Sequence, residues 1–244
     1  IEPRLLVDIA TAHHNRGEYS SAVKFHEEVL ELLRHQGGNR TWSLRDVAAA
    51  LNRLGQALIK VGRYDDAKDC HSRALHMQKL LPDLSPSETA STKALIAVAE
   101  YHGGQYREAL GLYEEAFHAQ IDAYGDDHPI LALTLYGIGI VKDELGENSA
   151  ALSFLNEALK IQESTSSEST HQLKAAALAT KMRIAKVTMS DGDNDAAMKT
   201  FERVLQQRRQ WYGQNHPDVA EVLQQLGVCH ARNGELSEAM KNYR

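Results

Sequence analysis

Twelve histidines, two cysteines and the acidic run Asp191-Gly192-Asp193-Asn194-Asp195 are the groups in this chain with the chemistry to hold a metal ion. Such a site needs its ligands at spacings that a helix or tight loop brings to one point. The sequence has no H-E-x-x-H, no C-x-x-C and no paired Cys/His spacing. The acidic run lacks the ligand spacing and closing glutamate of a calcium loop, and reads instead as a helix cap. There is no glycine-rich phosphate loop and no nucleophile elbow. The expectation is a protein without catalysis, metal or cofactor. His128 and His216 then belong to helix starts, each preceding a proline. His26 and His71 read as core histidines with a hydrogen-bond partner, His13 being the candidate partner of His26. Cys70 and Cys229 sit among apolar neighbours and read as small buried thiols. Two unpaired cysteines suit a reducing compartment, and the expected location is the cytoplasm.

All of these residues hang on a repeat. Gly17, Gly62, Gly104, Gly146, Gly192 and Gly234 recur at intervals of 42 to 46 residues, each followed five residues later by an alanine. Eight before each glycine stands a large aliphatic residue (Ile9, Leu54, Ile96, Ile138, Ile184, Leu226), and seven before stands Ala or Gly. Flanking stretches are helical by period: Leu110, Tyr113, Phe117 and Ile121 fall three and four apart and make one apolar stripe. The glycine between two such stripes suits the left-handed residue that ends one helix before the next begins. Each unit is therefore a helix–turn–helix hairpin, and a period of this size marks a solenoid. HEAT and armadillo arrays share the period but not the glycine-to-alanine turn. The repeats fall at about residues 4–42, 43–85, 86–128, 129–169, 170–216 and 217–244. That is five full hairpins and a truncated sixth, read as a fragment of a longer array.

The links carry their own signals. Asp127-His128-Pro129 and Asn215-His216-Pro217 put proline at a first helical position, and Ser85-Pro86-Ser87-Glu88 has the form of a capping box. The links near 37–43 and 164–171 are longer and lack proline. The second is polar and low in complexity, a solvated loop with hydroxyls open to phosphorylation. A net charge of −6 and no stripe of Lys/Arg argue against nucleic acid as a partner. No apolar run reaches the roughly 18 residues of a membrane span, and the first residues lack the form of a signal peptide.

The small residue seven before the turn, the alanine five after it and an aromatic or equivalent nine after (His26, His71, Tyr113, Leu155, Phe201, Tyr243) resemble the tetratricopeptide repeat (TPR). The links Tyr124-Gly125-Asp126-Asp127-His128-Pro129 and Tyr212-Gly213-Gln214-Asn215-His216-Pro217 are similar to those of the long, kinesin-light-chain type. The resemblance implies an all-α, right-handed superhelix that acts as a protein-interaction scaffold, its first helices lining a concave groove that takes a partner peptide. Carried onto this chain, the groove positions are Asn52, Arg53, Gln56, Leu95, Val98, Tyr101, Tyr136, Ile140, Arg183, Lys186, Gln224 and Gln225. His14, Lys60 and His102 fall in the same frame. Arg53, Arg183 and Lys186 would favour acidic side chains, flanking an apolar anchor on Leu95, Val98, Tyr101, Tyr136 and Ile140, with Asn52, Gln224 and Gln225 holding the peptide backbone. The alternative is that the apolar central residues pack between helices. Of the family's asparagine ladder only Asn52 is present, and it does not by itself make a carboxylate clamp. Two other roles stay open: a sensor arm of a larger nucleotide-switched signalling protein, and an assembly module that associates with itself.

If the alanine after the turn marks a close helix–helix contact, Ala109→Leu or Ala151→Leu overpacks it. The expected loss is roughly 1–3 kcal/mol of unfolding free energy, read from thermal or denaturant melts. Variants that melt like the parent would show the frame to be misplaced.

Overall fold

The computed structural model describes residues 3–35, 43–164 and 171–243. The longer links are mostly outside these residues, and so are the loop and phosphorylation expectations made for 165–170. Among the described residues there are twelve helices and no strand: α1 (Pro3–Asn15), α2 (Tyr19–His35), α3 (Leu44–Lys60), α4 (Tyr64–Lys79), α5 (Pro86–His102), α6 (Tyr106–Tyr124), α7 (Ile130–Glu144), α8 (Asn148–Ser164), α9 (His171–Ser190), α10 (Asn194–Tyr212), α11 (Pro217–Arg232) and α12 (Leu236–Tyr243). They form two compact units, Ile1–Asp126 with α1 to α6 and Asp127–Arg244 with α7 to α12. Each unit holds three hairpins.

Every hairpin turns the same way. Gly62 has φ 81°, a left-handed backbone that costs a residue with a Cβ, and the five equivalent glycines share it. With that residue in place, the next amide bends back to a carbonyl five residues earlier: Arg63 N donates to Leu58 O at 3.0 Å, and Glu147 N to Lys142 O at 2.9 Å. This closes the first helix by satisfying one of its terminal carbonyls. Asp193 then caps α10 by accepting from Ala196 N at 3.0 Å, the role read from the acidic run.

Behind the turn, the two helices of a hairpin meet where one side chain is missing. A Cβ added to Gly55 would lie 2.5 Å from His71 Nε2, one on Gly139 2.7 Å from Leu155 Cγ, and one on Gly227 2.4 Å from Tyr243 Cε1. The residue seven before the turn is thus small because the residue nine after it occupies the space. Ala10, Ala97 and Ala185 hold the same place in the other hairpins and are buried. Around these contacts the cores are apolar: Leu51, Leu54 and Leu58 with Ala67 and Ala74 in the first unit, and Met182, Phe201, Val204, Val222 and Leu226 in the second.

The links follow the sequence in part. Pro86 and Pro217 open α5 and α11, while α7 begins one residue after Pro129. His128 and His216 cap with their rings, Nδ1 accepting from Ile130 N (3.3 Å) and Asp218 N (3.2 Å). The capping box expected at Ser85 is not formed: Ser85 Oγ accepts from Ser87 N (3.3 Å), and the Glu88 carboxylate lies 3.5 Å from Arg45. A reciprocal box forms instead at Ser43, whose Oγ accepts from Asp46 N (3.2 Å) and whose own N–H donates to Asp46 Oδ2 (2.9 Å). The Ser43 N–H, and after it the Ser43 hydroxyl at 2.8 Å, donate to the Asp46 carboxyl and hold it below its ordinary range.

Gly139→Ala drives a methyl group into Leu155, at an expected loss of roughly 1–3 kcal/mol by denaturant melts. In a Leu155→Ala background the same change costs less, because the clashing atoms are gone. A double-mutant cycle without coupling would refute the pairing.

Candidate peptide-binding surface

In the first unit the predicted groove residues split into two groups. Arg53 and Gln56 of α3 are exposed, and Lys60, one turn further along the same face, is exposed as well. Arg53 and Lys60 have no carboxylate partner among the described residues. Their charges reach neighbouring imidazoles: burial, and after it Arg53 and His14, lowers the pKa of His26 to about 4, and burial with Lys60 lowers that of His102. On α5, Leu95, Val98 and Tyr101 are half-buried, with Val98 resting against the core. The Tyr101 ring meets those of His102 and Tyr106 at 5.1 and 5.8 Å, and His102 stacks on Tyr64 at 5.5 Å.

Asn52 does not have the role expected of it. Its Nδ2 donates to Thr92 Oγ1 of the next hairpin at 3.0 Å, and its Oδ1 lies 2.9 Å from His71 Nδ1. Because Asn52 Oδ1 can only accept, His71 carries its proton on Nδ1. The imidazole is neutral, its pKa lowered to about 4 by burial. Asn52 therefore braces two hairpins internally, with one amide hydrogen given to Thr92 and its oxygen taken by His71. His71 has the hydrogen-bond partner expected of a core histidine. His26 does not have the one expected: His13 pairs with Glu18 and stacks on Phe25.

In the second unit the expected cations are engaged. Arg183 reaches Asp143 and Glu144 at 2.9 Å each and the Ile140 carbonyl at 3.4 Å. Lys186 bonds Glu221 at 3.1 Å, and the other oxygen of Glu221 takes Arg208 at 3.0 Å. Burial would raise the Glu221 carboxyl, but hydrogen bonds from Arg208 and Lys186 hold it below its ordinary range. Arg183 and Lys186 are thus cross-braces between successive hairpins and do not form an open acid-binding pair. Tyr136 and Ile140 pack with Leu155, Ile184 and Val187, which is the packing alternative raised for the apolar centre. Gln225 is half-buried, and exposed Gln224 lines a cleft beside Tyr243.

Groove positions taken one repeat at a time carry no sign of the partner that the next repeat supplies. Asp143 and Glu144 stand three and two before Gly146 and Arg183 nine before Gly192, so opposite charges on the first helices of successive repeats were the available signal. Among the described residues no group of His, Cys, Asp and Glu is placed to hold a metal, and no helix is long and apolar enough to cross a membrane.

A sequence profile described as Tetratricopeptide repeat matches residues 88–164 and 176–244, and a second of the same description matches 4–35 and 47–82. The chain belongs to the tetratricopeptide repeat family. Its TPR units are of the kinesin-light-chain-like kind. Protein KINESIN LIGHT CHAIN-RELATED 3 of Arabidopsis thaliana is 22% identical over 241 residues, covering 96% of this chain and 35% of that protein. The Clustered mitochondria protein homolog of Homo sapiens is 26% identical over 197 residues, covering 80% of this chain and 14% of that one. The TPR chain thus spans a minor part of these relatives. Among solved structures, BtubC (BKLC) from P. vanneervenii aligns with TM-score 0.68 at 17% identity over 99% of this chain and 88% of that one. The Rap conjugation gene regulator of plasmid pLS20, in complex with the Phr* peptide, aligns with TM-score 0.70 at 14% identity over 98% and 70%. These likenesses show a shared all-α TPR fold.

His26 and His71 are neutral in the fold and titrate near 6.5 when unfolded. The unfolded chain binds the extra protons between those values. The stability they lend is full above about pH 6.5 and falls as pH drops toward 4, by on the order of 3 kcal/mol for each. Denaturant midpoints should fall over that window, and less steeply in a His26→Tyr/His71→Tyr variant. Equal slopes would rule out these two histidines as the cause.

Proposed function

We propose that this chain is a non-catalytic protein-interaction scaffold whose concave first-helix face binds a linear peptide, and that the acid-recognising part of that face lies in the first unit. The reading is carried by one observation: Arg53, Gln56 and Lys60 form an exposed stripe on α3, at a three- and four-residue spacing, with both cations unengaged by carboxylates among the described residues. Beside them α5 offers half-buried Leu95, Val98 and Tyr101 as an apolar seat. A peptide with carboxylates next to one apolar or aromatic side chain matches both features, and charge-assisted bonds to Arg53 would fix its orientation. Gln56 supplies an amide able to pair with extended backbone. Gln224 and Gln225 remain candidates for a separate contact in the second unit. The Rap regulator, solved with a peptide on a similar fold, makes peptide capture a reasonable use of this architecture. Both thiols are free and buried, in keeping with the cytoplasm as the proposed location.

The test is a peptide display screen on the whole chain, followed by titration of the recovered peptides. Arg53→Glu with Lys60→Glu should weaken acidic peptides by about tenfold or more, the loss of one to two charge-assisted bonds. Lys199→Glu, an exposed change on α10, should leave them unaffected. Equal affinity for the parent and the Arg53/Lys60 variant would exclude this face as the peptide site.

A further inference from the structure

Two clefts lie between second helices, one in each unit, and they share a frame. The first, about 730 Å³, runs between α2 and α4, and the second, about 360 Å³, between α8 and α10. Each is lined by the aliphatic residue eight before its turn, Leu54 or Ile184. Each is also lined by the leucine thirteen after the preceding turn, Leu30 or Leu159. The residue eight after the turn is small in both, Cys70 and Thr200, where α2, α6 and α8 carry Phe25, Leu112 and Phe154. That missing bulk leaves the aliphatic floor open.

The two clefts differ in charge. Glu27, Glu31, Asp66 and Asp69 line the first, and its Arg73 is bonded to Asp69 at 3.3 Å. Among the described residues no carboxylate lines the second, which instead holds Lys181 and Arg203. These two stand eleven before and eleven after Gly192. In the α5–α6 hairpin the same two positions are Lys93 and Glu115, which bond across the hairpin at 2.7 Å. In the α9–α10 hairpin a second cation replaces that carboxylate. Lys181 reaches Glu163 of α8 at 2.9 Å, while Arg203 is exposed with no carboxylate partner among the described residues.

We propose that the cleft between α8 and α10 binds a carboxylate-bearing peptide segment. Its Asp or Glu side chain sits on Arg203, in the place that Glu115 holds in the α5–α6 hairpin. A neighbouring apolar side chain enters beside Thr200, over Leu159 and Ile184. The frame names the chemistry of the occupant, because a pairing completed within the chain in one hairpin lacks its carboxylate in the other. The planar guanidinium can take a carboxylate through two parallel bonds, which fixes the direction of the segment. This is a second site, on second helices, and it stands or falls apart from the α3 stripe.

A random peptide display library panned on the whole chain carrying Arg53→Glu and Lys60→Glu tests this, since the α3 stripe then takes no part. Recovered peptides should be rich in Asp or Glu next to an apolar residue. In the same background Arg203→Glu should weaken them by about tenfold or more, the loss of a charge-assisted bond. Its melting temperature should be unchanged or raised, because the new carboxylate meets Lys181 as Glu115 meets Lys93. Thr200→Phe, which restores the bulk found at Phe154, should also remove binding without altering charge. Arg73→Glu, on the carboxylate-lined cleft, should leave affinity as it was. Recovery of no acidic peptides would overturn the proposal. So would equal affinity with and without Arg203→Glu, or a matching loss in Arg73→Glu.

Discussion

Two helices of a hairpin can cross closely only if one gives up volume at the crossing, and the rest of this structure depends on that exchange. Gly55 makes room for His71, Gly139 for Leu155 and Gly227 for Tyr243, with alanine serving in the other hairpins. Once the crossing is fixed, the left-handed glycine is the short route from one helix to the other. The alanine five residues later is buried in every hairpin, at the base of the second helix. Helical period then sets which side chains of the first helix meet the next hairpin and which face outward. Junction contacts and surface chemistry are both consequences of the crossing.

The two units use that frame differently. In the second, positive groups on the first helices are matched by carboxylates one hairpin away: Arg183 by Asp143 and Glu144, Lys186 by Glu221. Such partly buried, multiply bonded pairs add rigidity and position, with modest net stabilisation once desolvation is counted. In the first unit the neutral groups Asn52, His71 and Thr92 bridge the middle of the corresponding junction, and Arg53 and Lys60 of α3 face outward. A brace made of uncharged groups leaves the neighbouring charge available for a partner. The same frame thus yields a self-neutralised face in one unit and an open cationic stripe in the other.

Most of the fold was legible because turn and crossing are written in residue types with few alternatives. Glycine at a left-handed position and a small residue opposite a large one leave a periodic trace that no helix of ordinary composition would produce. The candidate surface was legible only in part. Arg53 and Gln56 could be placed from the count alone, since nothing else competes for them. Asn52, Arg183 and Lys186 could not, because their partners sit roughly one repeat away and residue type alone does not say whether a polar group faces a neighbour or solvent. The cap at Ser85 shows the same limit on a smaller scale. Its motif suited a reciprocal box, yet Arg45 from another helix draws Glu88 away. Local chemistry proposes a bond; a tertiary neighbour can take it.

Glycine serves this chain under two unrelated rules. A Cβ at Gly62 would meet nothing within 4 Å, yet the backbone there is left-handed; at Gly139 the backbone is ordinary helix, yet a Cβ would strike Leu155. The first position is constrained by handedness and the second by volume. A residue of mirror-image configuration would suit the turn, whereas at the crossing the ordinary configuration already suits the backbone and lacks only the room. Chirality sets where each hairpin reverses, and size sets how tightly it closes.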